Sequence, residues 1–359
     1  MKHTVWDNVD VMLLPENLGK LTGNTISSVK VKPAESGGFS GSHLSRVETN
    51  GGKGPQYVLK NIVPETDWVI RTTNDTLGRE IKLWECGVMD ELQMVIEHPS
   101  IACAKTETGW AILMHDISDS LLPTDGSLIS ASQNQICLEG LAAVHARFWQ
   151  DSSLCKAELG LVDLQSCISL MTPERCRPLK GTHFMVDAVL DGWERLESVI
   201  EPDIRAPVMQ WLNDPQPFVD ALDRYPKTLV HGDFWRANIG IQPSPRPKLI
   251  IFDWQIATFA PPAVDLVWWL AANTGYLEIT FDEVIDIYKK ALINQLGSAF
   301  SEEWWQPQLD LSLCSGFLRV GWAFASRLQD DRFEAVRDDW QNAADWWSDR
   351  VRIGLKYLQ

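Results

Sequence analysis

Apolar and polar residues alternate through much of the first third of the chain and change to a three-to-four spacing after Ser130. Ile26 to Lys32 alternates as a half-buried strand does. The stretch from Glu35 to Ser42 is a glycine-rich turn, and His43 to Glu48 returns as a second strand. Thr49 to Pro55 is dense in turn formers, so Gln56 to Val63 reads as a third strand. Over Asp75 to Cys86 the period becomes helical: Leu77, Ile81 and Trp84 fall at i, i+4 and i+7 and make one apolar stripe. Gln93 to Ile96 and Trp110 to Met114 read as two further strands. The pattern predicts a small sheet carrying one helix.

Beyond Ser130 the spacing predicts helices. Ile136 to Trp149 places Leu138, Leu141, Ala142, His145 and Phe148 near one face, and residues 183–200, 205–225, 262–272, 282–296 and 302–356 share the pattern. Two short strands, Thr228 to His231 and Lys248 to Asp253, sit among them. Ser, Asp, Pro and Gly cluster between His115 and Asp125, which predicts a connector and two units, 1–115 and 116–359.

Composition narrows the classes. The 359 residues suffice for two modest lobes, and 45% hydrophobic with 22% charged is ordinary globular usage. A net charge of −16 argues against a nucleic-acid partner. It would suit a cationic substrate, or simply keep the protein soluble. Seven cysteines, odd in number and without a C-x-x-C pair, suggest reduced thiols rather than zinc or dithiol chemistry. Met1 to Asp10 carries Asp7 and Asp10 and does not read as a signal peptide. The longest clean apolar run, Leu266 to Ala272, is far short of a membrane span. The expectation is a cytoplasmic protein with no membrane partner.

The chemistry concentrates in Leu229-Val230-His231-Gly232-Asp233-Phe234-Trp235-Arg236-Ala237-Asn238. An aspartate followed five residues later by an asparagine, after a short apolar strand, is the catalytic-loop pattern of kinases. Phosphoryl transfer needs a carboxylate to orient a hydroxyl and take its proton, here Asp233. It also needs an oxygen ligand for a metal on the phosphates, here Asn238. Alone, the segment could be a polar loop with a packed His231. Twenty residues on, Leu249-Ile250-Ile251-Phe252-Asp253-Trp254 brings a second carboxylate to the end of an apolar strand. That suits magnesium, which prefers hard oxygen donors. Gln242 to Pro247 is the turn that lets the two strand ends lie side by side.

With Ile251-Phe252-Asp253-Trp254-Gln255, Pro262 to Asp265-Leu266, and the helix Leu141 to His145-Ala146-Arg147-Phe148-Trp149, these segments resemble the aminoglycoside phosphotransferase and ecdysteroid-kinase-like group of the protein-kinase-like fold. The resemblance runs over roughly residues 20 to 325. It implies an α+β, bilobal architecture: a small antiparallel-sheet lobe with one helix, a larger helical lobe, and ATP bound between them. It implies Asp233 as base, Asn238 and Asp253 as Mg2+ ligands, and Asp265 as a buried brace of the catalytic loop. His145 reads as a packed helical residue.

The N-terminal part supplies a nucleotide cradle on the same reading. Lys60 interrupts the apolar strand Val58-Leu59-Lys60-Asn61-Ile62 and would meet the α- and β-phosphates. Glu80 is the carboxylate expected to fix it, with Glu85 as the alternative. Gly37, Gly38, Ser40 and Gly41 would cover the phosphates with backbone N–H groups. They keep only Gly38-x-x-Gly41 of the kinase glycine pattern. The family connector Met114-His115-Asp116 would offer backbone groups to the adenine edge, with Met114 and Asp116 named as contacts.

The acceptor is expected to be a small-molecule alcohol. Gly232 stands where protein kinases carry an arginine. Only seven residues separate Asp253 from Pro261, leaving no room for a peptide-docking segment. Trp235, two residues past the base, is the candidate acceptor-pocket residue; the resemblance implies an apolar or alicyclic alcohol over an amino sugar, because the ecdysteroid-kinase-like branch has a tryptophan here where many aminoglycoside kinases have a histidine. A nucleotide-binding pseudokinase is the alternative, disfavoured by the intact set Lys60, Asp233, Asn238 and Asp253. A protein kinase is disfavoured by the short segment.

Overall fold

The computed structural model describes residues 3–34, 40–196, 199–331, 334 and 337–358. Five antiparallel strands form the first sheet: β1 (Val29–Pro33), β2 (His43–Thr49), β3 (Gln56–Ile62), β4 (Ser100–Thr106) and β5 (Gly109–His115). They lie in the order β1-β2-β3-β5-β4. Side-chain alternation divides β3 and β5 between two faces. Tyr57, Leu59, Ala111 and Leu113 join one apolar cluster with Met12, Leu13 and Leu18 from short N-terminal helices. Ile62, Ile112 and Met114 join the main core on the other face. Lys60 is two residues from Ile62 and shares that second face.

Two expected elements move. Gln93–Ile96 is not a strand. The helix Val88–Leu92 continues there into turns, with Gln93 N–H donating to Met89 and Ile96 N–H to Leu92. The run is apolar for a different reason, since Ile96 is fully buried while Met94 is 71% exposed. The missed strand is β4, whose Ser, Ala and Cys residues carry weak strand propensity. The helix expected from Asp75 begins at Arg79. Asp75 instead accepts the N–H groups of Leu77, Gly78 and Arg79 and builds the turn before it. Leu77 therefore leaves the apolar stripe and lies exposed.

The helical part packs Ala131–Arg147, Phe184–Arg195, Ala263–Ala272, Phe281–Leu296, Glu302–Gln329 and Arg337–Gly354 around one core. The region expected as one helix over 205–225 is two, Pro202–Asn213 and Gln216–Leu222, because Pro215 follows Asp214 at the break. The 302–356 stretch likewise divides into two helices. Ser130 and Gln133 form a reciprocal capping box at the start of Ala131–Arg147.

Two small hairpin-like pairs carry the chemistry. β6 (Thr228–Val230) pairs with β9 (Thr258–Ala260), and β7 (Ile239–Gln242) pairs with β8 (Lys248–Ile251). The segment before β4 bonds to β8, with Glu97 N–H on Leu249 O at 2.9 Å and Ile251 N–H on Glu97 O at 3.1 Å. The main core accordingly runs without a break from beneath the first sheet into the helices.

Candidate active site

The site starts from β3. Its pleat turns Lys60 away from solvent toward the helix Arg79–Glu85. Lys60 Nζ donates to Glu80 Oε2 at 2.6 Å and to Asp253 Oδ1 at 2.9 Å, 193 positions away in the chain. Lys60 and Glu80 are almost fully buried, while Asp253 keeps about a quarter of its side chain exposed. Burial alone would lower the Lys60 ammonium, but the facing carboxylates of Asp253 and Glu80 outweigh it and hold it above its ordinary value. Burial pushes Glu80 up, against the pull of Lys60. Glu80 also accepts the Trp254 backbone N–H through its second oxygen at 3.0 Å. Glu85, the alternative, pairs with Lys82 at 2.7 Å instead.

Asp253 follows the end of β8 in the left-handed region, φ +67°, a conformation uncommon outside glycine and better tolerated by Asp than by most residues. The turn lifts its carboxylate out of the strand direction toward Lys60. Across the pair, Phe252 N–H donates to Asn238 O at 3.2 Å, so the strand ends carrying Asn238 and Asp253 are adjacent.

The loop after β6 holds Asp233. Asn238 Nδ2 donates to Asp233 Oδ2 at 2.8 Å and to its backbone oxygen at 3.1 Å. The amide oxygen of Asn238 is then the end left for a cation. Trp268 Nε1 donates to Asp233 Oδ1 at 2.7 Å. Burial raises the Asp233 carboxyl, opposed by Arg319 and His231 and reinforced by Asp253.

Beneath the loop lies Asp265, fully buried on the helix Ala263–Ala272. Its two oxygens accept the backbone N–H groups of His231 and Gly232, both at 2.7 Å. His145 Nε2 lies 3.2 Å from the same carboxylate, and its Nδ1 meets the Tyr288 hydroxyl. Burial raises that phenol well above its ordinary value. His231 itself bonds Phe252 O at 3.0 Å. Asp265 and His145 thus have the geometry of a brace.

The other expected contacts divide. Gly37 and Gly38 lie outside the described residues. Ser40 and Gly41 are docked at the start of the helix Trp68–Thr72: Ser40 O accepts the Trp68 N–H at 3.0 Å, and Gly41 packs on Thr66 at φ +106°. Met114 is buried in β5, in register with Val58 and Ser100, whereas Asp116 is exposed and caps a turn onto Ser118. Trp235 is half-buried and packs against the core. An open cavity of about 410 Å³ lies elsewhere, between Leu154, Val162, Val219 and Phe259, and contains none of these residues.

Sequence reasoning missed two groups. Trp268 bonds Asp233, and Arg319 stacks on Trp268 and bonds Gly232 O; the available signal was an arginine set singly in the apolar run Gly316-Phe317-Leu318-Arg319-Val320-Gly321. The second group is Asp67, which accepts from Ser42 Oγ at 3.0 Å and Gln255 Nε2 at 3.1 Å. Nothing in the local pattern of Asp67 announces that link.

Among the described residues, no three His, Cys, Asp or Glu groups gather into a metal cage. The candidate oxygens are one amide and one carboxylate. Such a pair fits a hard cation that takes its remaining ligands from phosphate and water.

These elements in this order form the α+β, bilobal fold of the protein-kinase-like phosphotransferases. The chain shares it with the microcompartment-associated aminopropanol kinase, at 12% identity, covering 94% of this chain and 97% of that one, TM-score 0.56. It also shares it with the amicoumacin kinase solved with AMP-PNP, Ca2+ and its ligand, at 11% identity, covering 95% of each chain, TM-score 0.50. A candidate aminoglycoside phosphotransferase from Ralstonia eutropha aligns at 16% identity over 92% of this chain and 93% of its own, TM-score 0.50. Residues 178–299 match the model of the ecdysteroid kinase-like family, in agreement with the resemblance seen in the motifs. No curated protein matches the chain. No described helix is long and apolar enough to cross a membrane.

Proposed function

We propose that the protein is a magnesium-dependent kinase that moves the γ-phosphoryl group of ATP to a hydroxyl of a small molecule. The observation that carries this reading is the meeting of Lys60, Glu80 and Asp253 beside the bonded pair Asp233–Asn238. Phosphoryl transfer relies on positioning and electrostatic stabilisation more than on covalent help from the protein. Lys60 would hold the α- and β-phosphates. Asn238 and Asp253 would supply oxygen to Mg2+, which when bound neutralises charge on the phosphates. Asp233 would align the acceptor hydroxyl and take its proton as the new O–P bond forms. The bond from the γ-phosphorus to the bridging oxygen breaks, and ADP leaves. The upward push of burial on Asp233 makes it a stronger proton acceptor once ionised. Gly232 and the short segment after Asp253 support a compact acceptor over a peptide.

A transfer screen with γ-labelled ATP against sterols, macrolides, amino sugars and choline-like alcohols identifies the acceptor class. Asp233→Asn should reduce transfer about 100-fold or more, the ordinary reach of general-base loss, while ATP affinity stays within about twofold because no nucleotide contact is removed. Unchanged turnover in that variant would remove Asp233 from the role of base.

A further inference from the structure

The base has a support that the catalytic motif does not contain. Arg319 lies in the middle of the long helix Glu302–Gln329 and is 4% exposed. Its guanidinium sits over the Trp268 ring, 3.8 Å from the centroid. Its Nη1 donates to the backbone oxygen of Gly232 at 2.9 Å. Its Nε and Nη2 are buried with no hydrogen-bond partner. A buried cation without a carboxylate in contact is expensive, and such groups are usually paired. The carboxylate linked to it is that of Asp233, through the Trp268 indole on which it stacks.

We propose that Trp268 and Arg319 are positioning residues for Asp233: the indole N–H fixes one carboxylate oxygen, and the stacked guanidinium fixes the indole and the loop. The inference rests on the kinase reading above. A carboxylate has about four lone-pair sites. Asn238 takes one on Oδ2 and Trp268 one on Oδ1, so the carboxylate plane is held from both sides, and one site on each oxygen remains for an acceptor hydroxyl. A cation over the ring face draws electron density from the indole, which strengthens its N–H as a donor. The bond from Arg319 to Gly232 O holds the peptide next to Asp233. Arg319 therefore holds the base by two routes, through the ring and through the backbone. Neither side chain touches the Lys60, Glu80 and Asp253 group, so their effect belongs on turnover rather than on nucleotide affinity.

The decisive variant is Trp268→Phe, which keeps an aromatic ring under Arg319 and removes only the N–H. Arg319→Lys and Arg319→Met form a second series, and the pair Trp268→Phe/Arg319→Met closes the cycle. ADP release from ATP and magnesium, with water as the acceptor, is measured at varied ATP, beside thermal unfolding of each variant. Trp268→Phe should lower kcat about tenfold or more, with the KM for ATP within twofold and a thermal midpoint close to that of the unaltered protein. Arg319→Met should lower kcat likewise, Arg319→Lys should restore part of it, and the double variant should be little worse than the worse single one, because the residues act in series. Equal kcat in Trp268→Phe and the unaltered protein overturns the inference, as does a loss that only tracks the unfolded fraction. If the unaltered protein shows no magnesium-dependent ATP turnover or transfer, the kinase reading fails, and this inference with it.

Discussion

Gly232 shows how narrow the tolerance of the catalytic loop is. Its φ is +78°, and a Cβ there would lie 2.3 Å from the Ile256 backbone oxygen. Backbone cannot retreat as a flexible side-chain tip can, so alanine brings both a strained φ and a collision. Gly232→Ala should destabilise the fold by at least about 1–3 kcal/mol, the range for a strained backbone position, and displace Asp233. Urea unfolding with ATP turnover checks this, and a variant matching the unaltered protein in both would show that the loop can shift. The same glycine was legible as a departure from protein kinases, but its steric reason was not, because Ile256 comes near only through the pairing of β6 with β9. The bonded pair Asp233–Asn238 was legible because only five residues separate the two, whereas Lys60 and Asp253 stood out as charges set in or just after apolar strands. Glu80 adjoins Ile81 on the inward side of its helix, whereas Leu77, expected on the same apolar stripe, lies before the helix. Trp268 and Arg319 were hidden because their roles depend on one helix crossing another.

At the scale of elements, Asp67 joins three pieces of chain. It caps the helix Trp68–Thr72 through Oδ1, bonding Val69 and Ile70 N–H at 3.0 Å each, and receives Ser42 and Gln255 on Oδ2. All three polar residues are buried. The end of the glycine-rich turn is thereby tied to the residue two past Asp253. Asp67→Asn separates the two roles: the amide oxygen can still cap, but the amide nitrogen faces the Gln255 donor. The expected loss is about 1–3 kcal/mol for a buried polar group left unmatched, together with weaker ATP binding. Unfolding and nucleotide titration of this variant decide it; an unperturbed pair of values would mean the link carries no function. Elements were harder to read than motifs where propensity and burial disagree. β4 is assembled from small residues that pack well and advertise little, whereas Gln93–Ile96 is apolar for the sake of one buried side chain.

For the molecule as a whole, the apolar core is shared. Ile62, Ile81 and Ile112 from the sheet part belong to the same cluster as Trp269, Phe317 and Trp347 from the helical part. Backbone bonds from Glu97 to β8 reinforce the join. The first sheet ends at His115, and the main core runs across that line. Heating should therefore unfold both parts together. Far-ultraviolet circular dichroism and tryptophan fluorescence should give one coincident midpoint, and two separated transitions would contradict the shared core. Such continuity was not legible in the chain, because it follows from which faces meet.

The stretch from Trp254 to Ala260 has a last consequence. Thr258 is fully buried, and only Phe259 among the seven is even partly exposed. Lys60 bonds both Glu80 and Asp253 beside it. Burial therefore puts the Thr258 hydroxyl on this strip out of reach of a modifying enzyme. On the kinase reading proposed above, a switch worked by phosphorylation would have to act somewhere other than this strip.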